Sequence, residues 1–283
     1  VHDCHELYLE SGNFKAYERG LLAPIERRHM RRAARVVAVN ESIAQEYNER
    51  YGVRPLVVRN CAKQPEVILV RDIRDLAGLA PHTPVVLYQG GLSIGRGLDV
   101  CVAAMTAVAP DVHLVMLGHG PMEVELRQAA RDQGVGHRVH VIPAVAPDQL
   151  LAYTASATLG LIPYQPVSKN NYYSLPNKAF EYASVGLPMV VSDLPELRRV
   201  AVGGGCGVVF DPYDPVSLAR AIAAVIDAER YPHFRAATLR FGAENTWANE
   251  RTTLVGAIED AMAGSWVPRS GRSRSVRQNP VTP

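Results

Sequence analysis

The chain is short of cysteine, of long apolar runs and of net charge, and each shortage removes a class of protein. Its four cysteines, Cys4, Cys61, Cys101 and Cys206, lie far apart with no CxxC spacing, so neither a zinc site nor a disulfide framework is indicated. A reducing cytoplasm is the expected setting. No apolar run reaches the roughly 18 residues of a membrane span, and the opening residues lack the basic-then-apolar pattern of a secretory signal. A formal charge of +2 gives the body of the protein no strong attraction to nucleic acid or to a membrane. Two nucleotide signatures are missing as well. The glycines of GGLSIGRG are not spaced as GxGxxG, which excludes a nicotinamide or flavin site, and the absence of GxxxxGK argues against a P-loop.

What is present is enough apolar material for real cores: 47% of 283 residues, sufficient for one large or two ordinary domains. VHDCHE reads as the end of a strand whose earlier neighbours are absent. A helix is expected from about Tyr17 to Ala34, then the strand RVVAVN, a helix opened by Asn40, and the strand PLVVRN ending at Asn60. Half a doubly wound domain would leave a sheet edge and face uncovered, so the expectation is a natural protein longer at its N-terminus, or a partner over this surface. Residues 61–84 carry several prolines and one short helical piece, and read as a linker. From Pro84 to Ala228 strands such as PVVLYQ, VHLVML, RVHVI, TLGLIP and GVVF alternate with helices, which predicts a parallel, doubly wound α/β sheet. A helix with Trp247 as a packing anchor follows, at about Thr246 to Met262. The last stretch, GSWVPRSGRSRSVRQNPVTP, has four arginines and no acid; disorder is the first reading and weak attraction to anionic lipid the second.

The chain is organised around LPNKAFEYASVGLPMVVSD, Leu175 to Asp193. Pro176 suits a first helical turn, Ser174 is placed to cap it, Ala179, Phe180 and Ala183 make an apolar face, and Gly186 is placed as the left-handed stop. A helix N-terminus concentrates free amides, so with Lys178 it forms an anion seat, and Glu181 one turn on is placed to accept hydrogen bonds from ribose hydroxyls. The plainer reading is that Lys178 and Glu181 are an i,i+3 surface pair, and on these residues alone it is the favoured one. Two glycine loops, Gly90-Gly91 and Gly118-His119-Gly120, fall at the same sheet edge, and with Arg96 they favour a shared site over ordinary tight turns.

In this order, YQGGLSIGRGLD, VMLGHGP, RVHVIPAVAPDQLLAYTASATLGLIPY and YYSLPNKAFEYASVGLPMVVSDLPELRRV resemble the retaining GT-B glycosyltransferases of family 4, or group 1. The resemblance implies two Rossmann-like domains facing a cleft: the second half of an acceptor-side domain over 1–72, a nucleotide-sugar domain over 73–245, a C-terminal helix over 246–263 and the basic tail from 264. It implies that Glu181 holds ribose, that Arg96 meets the diphosphate with Gly91, Gly118, Asn177 and Lys178 beside it, and that the stretch ending at Val145 passes the base. His5 matches the family's histidine near the reacting sugar carbon. Tyr173 stands where members often carry a sugar-contacting glutamate, with Ser174 next to it, and Gly90-Gly91 replaces an arginine usual after the first donor-domain strand. No DxD motif is present, and the family needs neither metal nor cofactor. The implied partners are a nucleotide-sugar and a glycan, lipid-linked or small-molecule acceptor, at the cytoplasmic side and at most peripheral to the inner membrane face. A nucleotide-sugar binding module without transfer and a nucleotide-sugar epimerase on the same scaffold are the competing readings.

Overall fold

The computed structural model describes residues 1–62 and 69–264; the basic tail expected beyond Gly264 and the middle of the expected linker lie outside them. Strands β1 (His2–Cys4), β2 (Val36–Ala38) and β3 (Leu56–Val57) make a three-stranded parallel sheet in the order β1-β2-β3. They are connected by helices α1 (Ala16–Arg32) and α2 (Glu41–Tyr51). Asn40 starts α2 by accepting the Ile43 amide on its side chain, and Gly52 ends it in the left-handed conformation. PLVVRN contributes only its central Leu56 and Val57 to the sheet, which is shorter than the sequence pattern predicts.

After α3 (Ile73–Ala77) the chain enters a six-stranded parallel sheet. Its strands and helices are β4 (Val85–Gln89), α4 (Leu98–Ala104), β5 (His113–Leu117), α5 (Glu123–Asp132), β6 (Val139–Ile142), α6 (Pro147–Thr154), β7 (Leu159–Ile162), α7 (Lys169–Tyr172), α8 (Asn177–Ser184), β8 (Met189–Ser192), α9 (Pro195–Arg198), β9 (Gly207–Phe210) and α10 (Pro215–Ile226). The strand order is β6-β5-β4-β7-β8-β9, with every neighbouring pair parallel. The chain thus starts at the centre, winds to one edge, returns beside β4 and winds to the other, the doubly wound order that opens a crevice between the two central strands. The expected GT-B type α/β fold is what the structure shows.

Near-continuous apolar strands suit this position, because both faces of a parallel sheet are covered. Val86 and Tyr88 of β4 join Leu98, Leu126 and Leu218 on one face; Val85 and Leu87 join Ile73, Tyr153, Ala179 and Leu197 on the other. One contact on the second face sets the position of α8. A Cβ at Gly160 in β7 would lie 2.4 Å from the Tyr182 ring, so glycine there opens the slot in which that ring lies flat against the sheet. The Tyr182 hydroxyl donates to the Leu87 carbonyl at 3.1 Å, and Phe180 stacks on Phe241 of the helix α11 (Tyr231–Glu244). Such an aromatic pair adds about 0.5–1.5 kcal/mol beyond its burial. Pressed down in this way, α8 brings its first turn to the open end of the crevice.

Two local expectations are corrected. Ser174 does not cap α8: its hydroxyl donates to the Asn171 carbonyl at 3.0 Å, and the helix starts from Pro176 with no side-chain cap. The reason is that Pro176 itself takes the N-cap position, which leaves Ser174 two residues too early, just past the end of α7, a short helix that the sequence pattern did not reveal. Trp247, expected as a packing anchor, opens the last helix α12 (Trp247–Met262) with 36% of its surface exposed; Thr246 caps that helix, and Ala257 is its buried residue. Gly186 has φ of 67° and stops α8 as its sequence position predicts.

The two sheets are stitched together by polar groups. The Ser42 amide donates to Glu196 Oε1 at 2.8 Å, Asn40 Nδ2 to the Tyr173 carbonyl at 2.8 Å, Lys169 Nζ to Glu46 at 2.7 Å and the Leu7 amide to Asn170 Oδ1 at 2.9 Å. The cysteines are all buried and free, and burial pushes the Cys4 thiol up to about 12, the state of an unreactive core thiol.

Candidate functional site

At the crevice, β4 runs from a buried apolar stretch into Gln89, whose side chain is polar although the residue is only 2% exposed. A buried amide must find partners, and this one does. Gln89 Oε1 accepts the Thr154 hydroxyl at 2.8 Å, which leaves Nε2 to donate to Glu181 Oε2 at 2.6 Å. One oxygen of the Glu181 carboxylate is thereby fixed from inside the protein. Its other oxygen has no hydrogen bond or ion pair within the described residues, and the residue is half-buried at the crevice.

The strand ends beyond Gln89 touch through backbone alone. Gly90 has φ of 127°, a region that side chains disfavour, and its amide donates to the Leu117 carbonyl at 2.9 Å. A Cβ on Gly118 would lie 1.9 Å from the Gly90 carbonyl oxygen, so glycine is the residue that permits this contact. Gly91 is different: a Cβ there would meet open space, and its role is to accept the Tyr88 hydroxyl at 2.7 Å.

Against this floor stand two cations. Lys178 Nζ lies 4.1 Å over the Tyr88 ring and 5.0 Å from the Tyr164 ring, and the Arg96 guanidinium lies 4.1 Å over the Tyr164 ring as well. Lys178 is 8% exposed, yet its ammonium makes no hydrogen bond and has no carboxylate within ion-pair distance among the described residues. The surface-pair reading of Lys178 and Glu181 therefore fails, because α8 turns its lysine inward onto two aromatic faces. Burial first, and the positive charge of Arg96 second, push the Lys178 ammonium down to about 7, against the pull of Glu181 and Cys101. Ring faces attract a cation and soften the cost of burying it, but they do not neutralise it. Two neighbouring positive groups that share a ring and lack a counter-ion form a seat for an anion of more than one charge.

The structure thus brings Arg96, Lys178 and Glu181 together with Gly90, Gly91 and Gly118. The remaining expected residues stand around them. Asn177 is exposed at the start of α8, where its Oδ1 accepts from Asn60 Nδ2 at 2.9 Å, and Val145 is half-buried against the core after β6. The Tyr173 ring packs against the core of the smaller sheet, and Ser174 is held by the Asn171 carbonyl. His5 lies at the end of β1, as expected, and pairs with Asp3 at 3.0 Å; it makes no hydrogen bond, ion pair or ring contact with Arg96, Lys178 or Glu181. Three residues with a clear part in the geometry were not singled out from the sequence: Gln89, Tyr88 and Tyr164. A polar residue closing an otherwise apolar strand was the available signal for Gln89, and the aromatic rings were indistinguishable from core. No group of three or more metal-ligating side chains occurs among the described residues.

Comparison with known proteins bears on the family and the fold. The chain is 32% identical over 179 residues to a D-inositol 3-phosphate glycosyltransferase of Xylanimonas cellulosilytica, a match covering 60% of this chain and 42% of that protein. The chain spans about half the length of the curated relatives it matches. Sucrose-phosphate synthase from Thermosynechococcus elongatus superposes with a TM-score of 0.75 at 20% identity, over 93% of this chain and 68% of that one. Anabaena Alr3699/HepE in complex with UDP-glucose superposes with a TM-score of 0.74 at 16% identity, over 91% and 71%. The sequence profile described as "Glycosyl transferases group 1" matches residues 83–228, a stretch that contains the whole six-stranded sheet and both cations of the crevice. Since that stretch is just over half of the chain, the protein belongs to the glycosyl transferases group 1 family.

Proposed function

We propose that the crevice binds a nucleoside-diphosphate sugar and that the protein transfers the sugar, with retained configuration, to a glycan, glycolipid or small-molecule acceptor. The observation that carries this is the convergence of Arg96 and Lys178 on one tyrosine ring, with the Glu181 carboxylate one turn along the same helix. In this reading the diphosphate lies across the two cations and over Gly90-Gly91. Glu181, held on one side by Gln89, offers its other oxygen to the ribose hydroxyls. The stretch ending at Val145 borders the base, Asn177 and Gly118 flank the phosphates, and Tyr173 and Ser174 border the sugar. His5, on the opposite sheet, faces the reacting carbon from the acceptor side. A structural neighbour of the same fold, Anabaena Alr3699/HepE, is a complex with UDP-glucose, which supports a nucleotide-sugar as the donor.

Departure of the diphosphate is the step the site assists. Negative charge grows on the leaving oxygens as the sugar bond breaks, and fixed positive groups in a water-poor site stabilise it by a few kcal/mol each. Arg96 and Lys178 supply the counter-charge that a divalent ion provides in other transferases, so the reaction proceeds without a resident metal. The same reading places the protein in cell-surface polysaccharide or glycoconjugate synthesis on the cytoplasmic side, with the basic tail giving weak attraction to the membrane. No described helix is long and apolar enough to cross a membrane.

The test is incubation with radiolabelled UDP-glucose and GDP-mannose in the presence of chelator. Slow release of free sugar with retained anomeric configuration is the expected result. Binding without release, or recovery of an altered sugar still joined to its nucleotide, would refute transfer.

A further inference from the structure

Lys178 has a property that phosphate binding alone does not explain. A lysine that serves as a fixed charge is normally paired with a carboxylate, and this one, with more than nine-tenths of the residue buried and its nitrogen still open to the crevice, has neither a hydrogen bond nor an ion pair among the described residues. β4 presents the face of Tyr88, the loop after β7 presents the face of Tyr164, and the loop before α4 presents the Arg96 guanidinium. α4 itself contributes the thiol of Cys101, α8 contributes Glu181, and the backbone of Gly90 passes close beneath the ammonium. Among the described residues the charged neighbours are one cation, Arg96, which opposes the charge on Lys178, and one anion, Glu181, already engaged by Gln89.

We propose that Lys178, unpaired and set beside Arg96 on the same tyrosine ring, is a proton acceptor coupled to donor binding: its amine takes a proton from solvent as the diphosphate arrives. This deepens the donor-site reading given above and rests on it. The balance is simple. The amine plus a solvent proton becomes an ammonium, whose new N–H bonds donate to phosphate oxygens, and release of the nucleoside diphosphate returns the proton. Burial and Arg96 lower the amine's pKa to about 7 in the empty site, and a bound dianion outweighs both by supplying two opposite charges at contact distance. The folded, empty state therefore binds fewer protons than the occupied state above neutrality, and donor affinity falls as pH rises through that range. Arg96, whose guanidinium never loses its proton, keeps the site positive throughout. The pairing of one permanent and one conditional charge limits the cost of an empty site, because two bare ammonium-type charges need not be buried side by side.

The experiment is titration calorimetry of the full chain with UDP-glucose and with GDP-mannose, at pH 6, 7 and 8.5, in buffers of differing ionisation heat. The two phosphates of these probes keep fixed single charges across this range, so the protein is the source of any proton change. Uptake of about half a proton at pH 7, approaching one at pH 8.5, is expected, with affinity falling up to about tenfold per pH unit above 7. Lys178→Arg and Lys178→Met should abolish the uptake, and Lys178→Arg should bind with nearly flat pH dependence. His119→Gln, which removes the histidine of the neighbouring loop, should retain it. Binding by the wild-type chain without proton uptake, or undiminished uptake in Lys178→Arg, overturns the proposal while leaving the donor site standing. Absence of any binding heat with either sugar nucleotide overturns the donor site itself. If both lysine variants melt far below the parent chain, the wild-type proton count still decides.

Discussion

Replacing Glu181 tests the donor site with the least disturbance to the fold. Glu181→Gln keeps an oxygen for Gln89 Nε2, now 2.6 Å away, and removes only the charge offered to the ribose. Hydrogen bonds to a charged group contribute about 1.5–3 kcal/mol, so loss of the carboxylate should weaken nucleotide binding roughly 10- to 100-fold. The effect can be read from melting. A ligand at 100 times its dissociation constant stabilises by about 2.7 kcal/mol, and after a 30-fold loss of affinity the same concentration gives about 0.9 kcal/mol. At roughly 2–4 °C per kcal/mol for a protein of this size, the ligand-induced shift should drop from about 5–11 °C to about 2–4 °C. Glu181→Ala should abolish the shift and also lower the unliganded melting temperature. It deprives the buried Gln89 amide of its acceptor, a loss of about 1–3 kcal/mol. Melting with and without UDP-glucose or GDP-mannose separates the two effects. Undiminished shifts in both variants would show that the ribose is held elsewhere.

Arg96→Ala should lower turnover by about 100- to 1000-fold, the usual cost of removing one group that stabilises developing negative charge, with an unchanged far-ultraviolet spectrum. Turnover within threefold of the parent would count against the assignment. A different prediction concerns the stitching of the sheets. Burial would raise the Glu46 carboxyl, but hydrogen bonds from Lys169 and Arg50 outweigh it and hold the group below the usual glutamate range. The stability this contributes is complete above the unfolded value of about 4.3 and is lost as pH falls through the lower folded value. Melting temperature should therefore fall less steeply between pH 5 and 3 in Glu46→Gln than in the parent, and parallel curves would refute the link.

Much of the scaffold was legible because strands buried on both faces write themselves as apolar runs, and PVVLYQ, VHLVML and TLGLIP each became a strand of the central sheet. Proline and glycine punctuation marked the ends of α8 for reasons of backbone sterics, and those survived any packing. The short α7 was not legible, because KNNY has no apolar period; it is held by Ser168 capping and by contacts with the smaller sheet. Arg96, Lys178 and Glu181 could be named as charged residues near a helix start. Their environment could not, since whether a lysine one turn from a glutamate points to water or inward depends on the slot that Gly160 leaves for Tyr182, more than 20 residues upstream in sequence and next to it in space. Ser174 shows the same limit in reverse: its residue type suits a cap, and the helix begins two residues later, from Pro176, with the serine hydroxyl turned back to Asn171.

The contact between Gly118 and Gly90 reaches further than the turn it closes. Gly118 admits the Gly90 carbonyl, and the bare Cα of Gly90 in turn leaves the depth at which the Lys178 amine settles, where an added Cβ would come within 3.2 Å of it. A methyl group on Gly90 would press that flexible side chain outward toward bulk water, where an amine stays charged at neutral pH, and one on Gly118 would displace the Gly90 backbone on which the amine rests. How readily this lysine gives up its charge is thus governed in part by two residues that have no side chain at all, and a substitution at either would disturb the site without altering a single ionisable group.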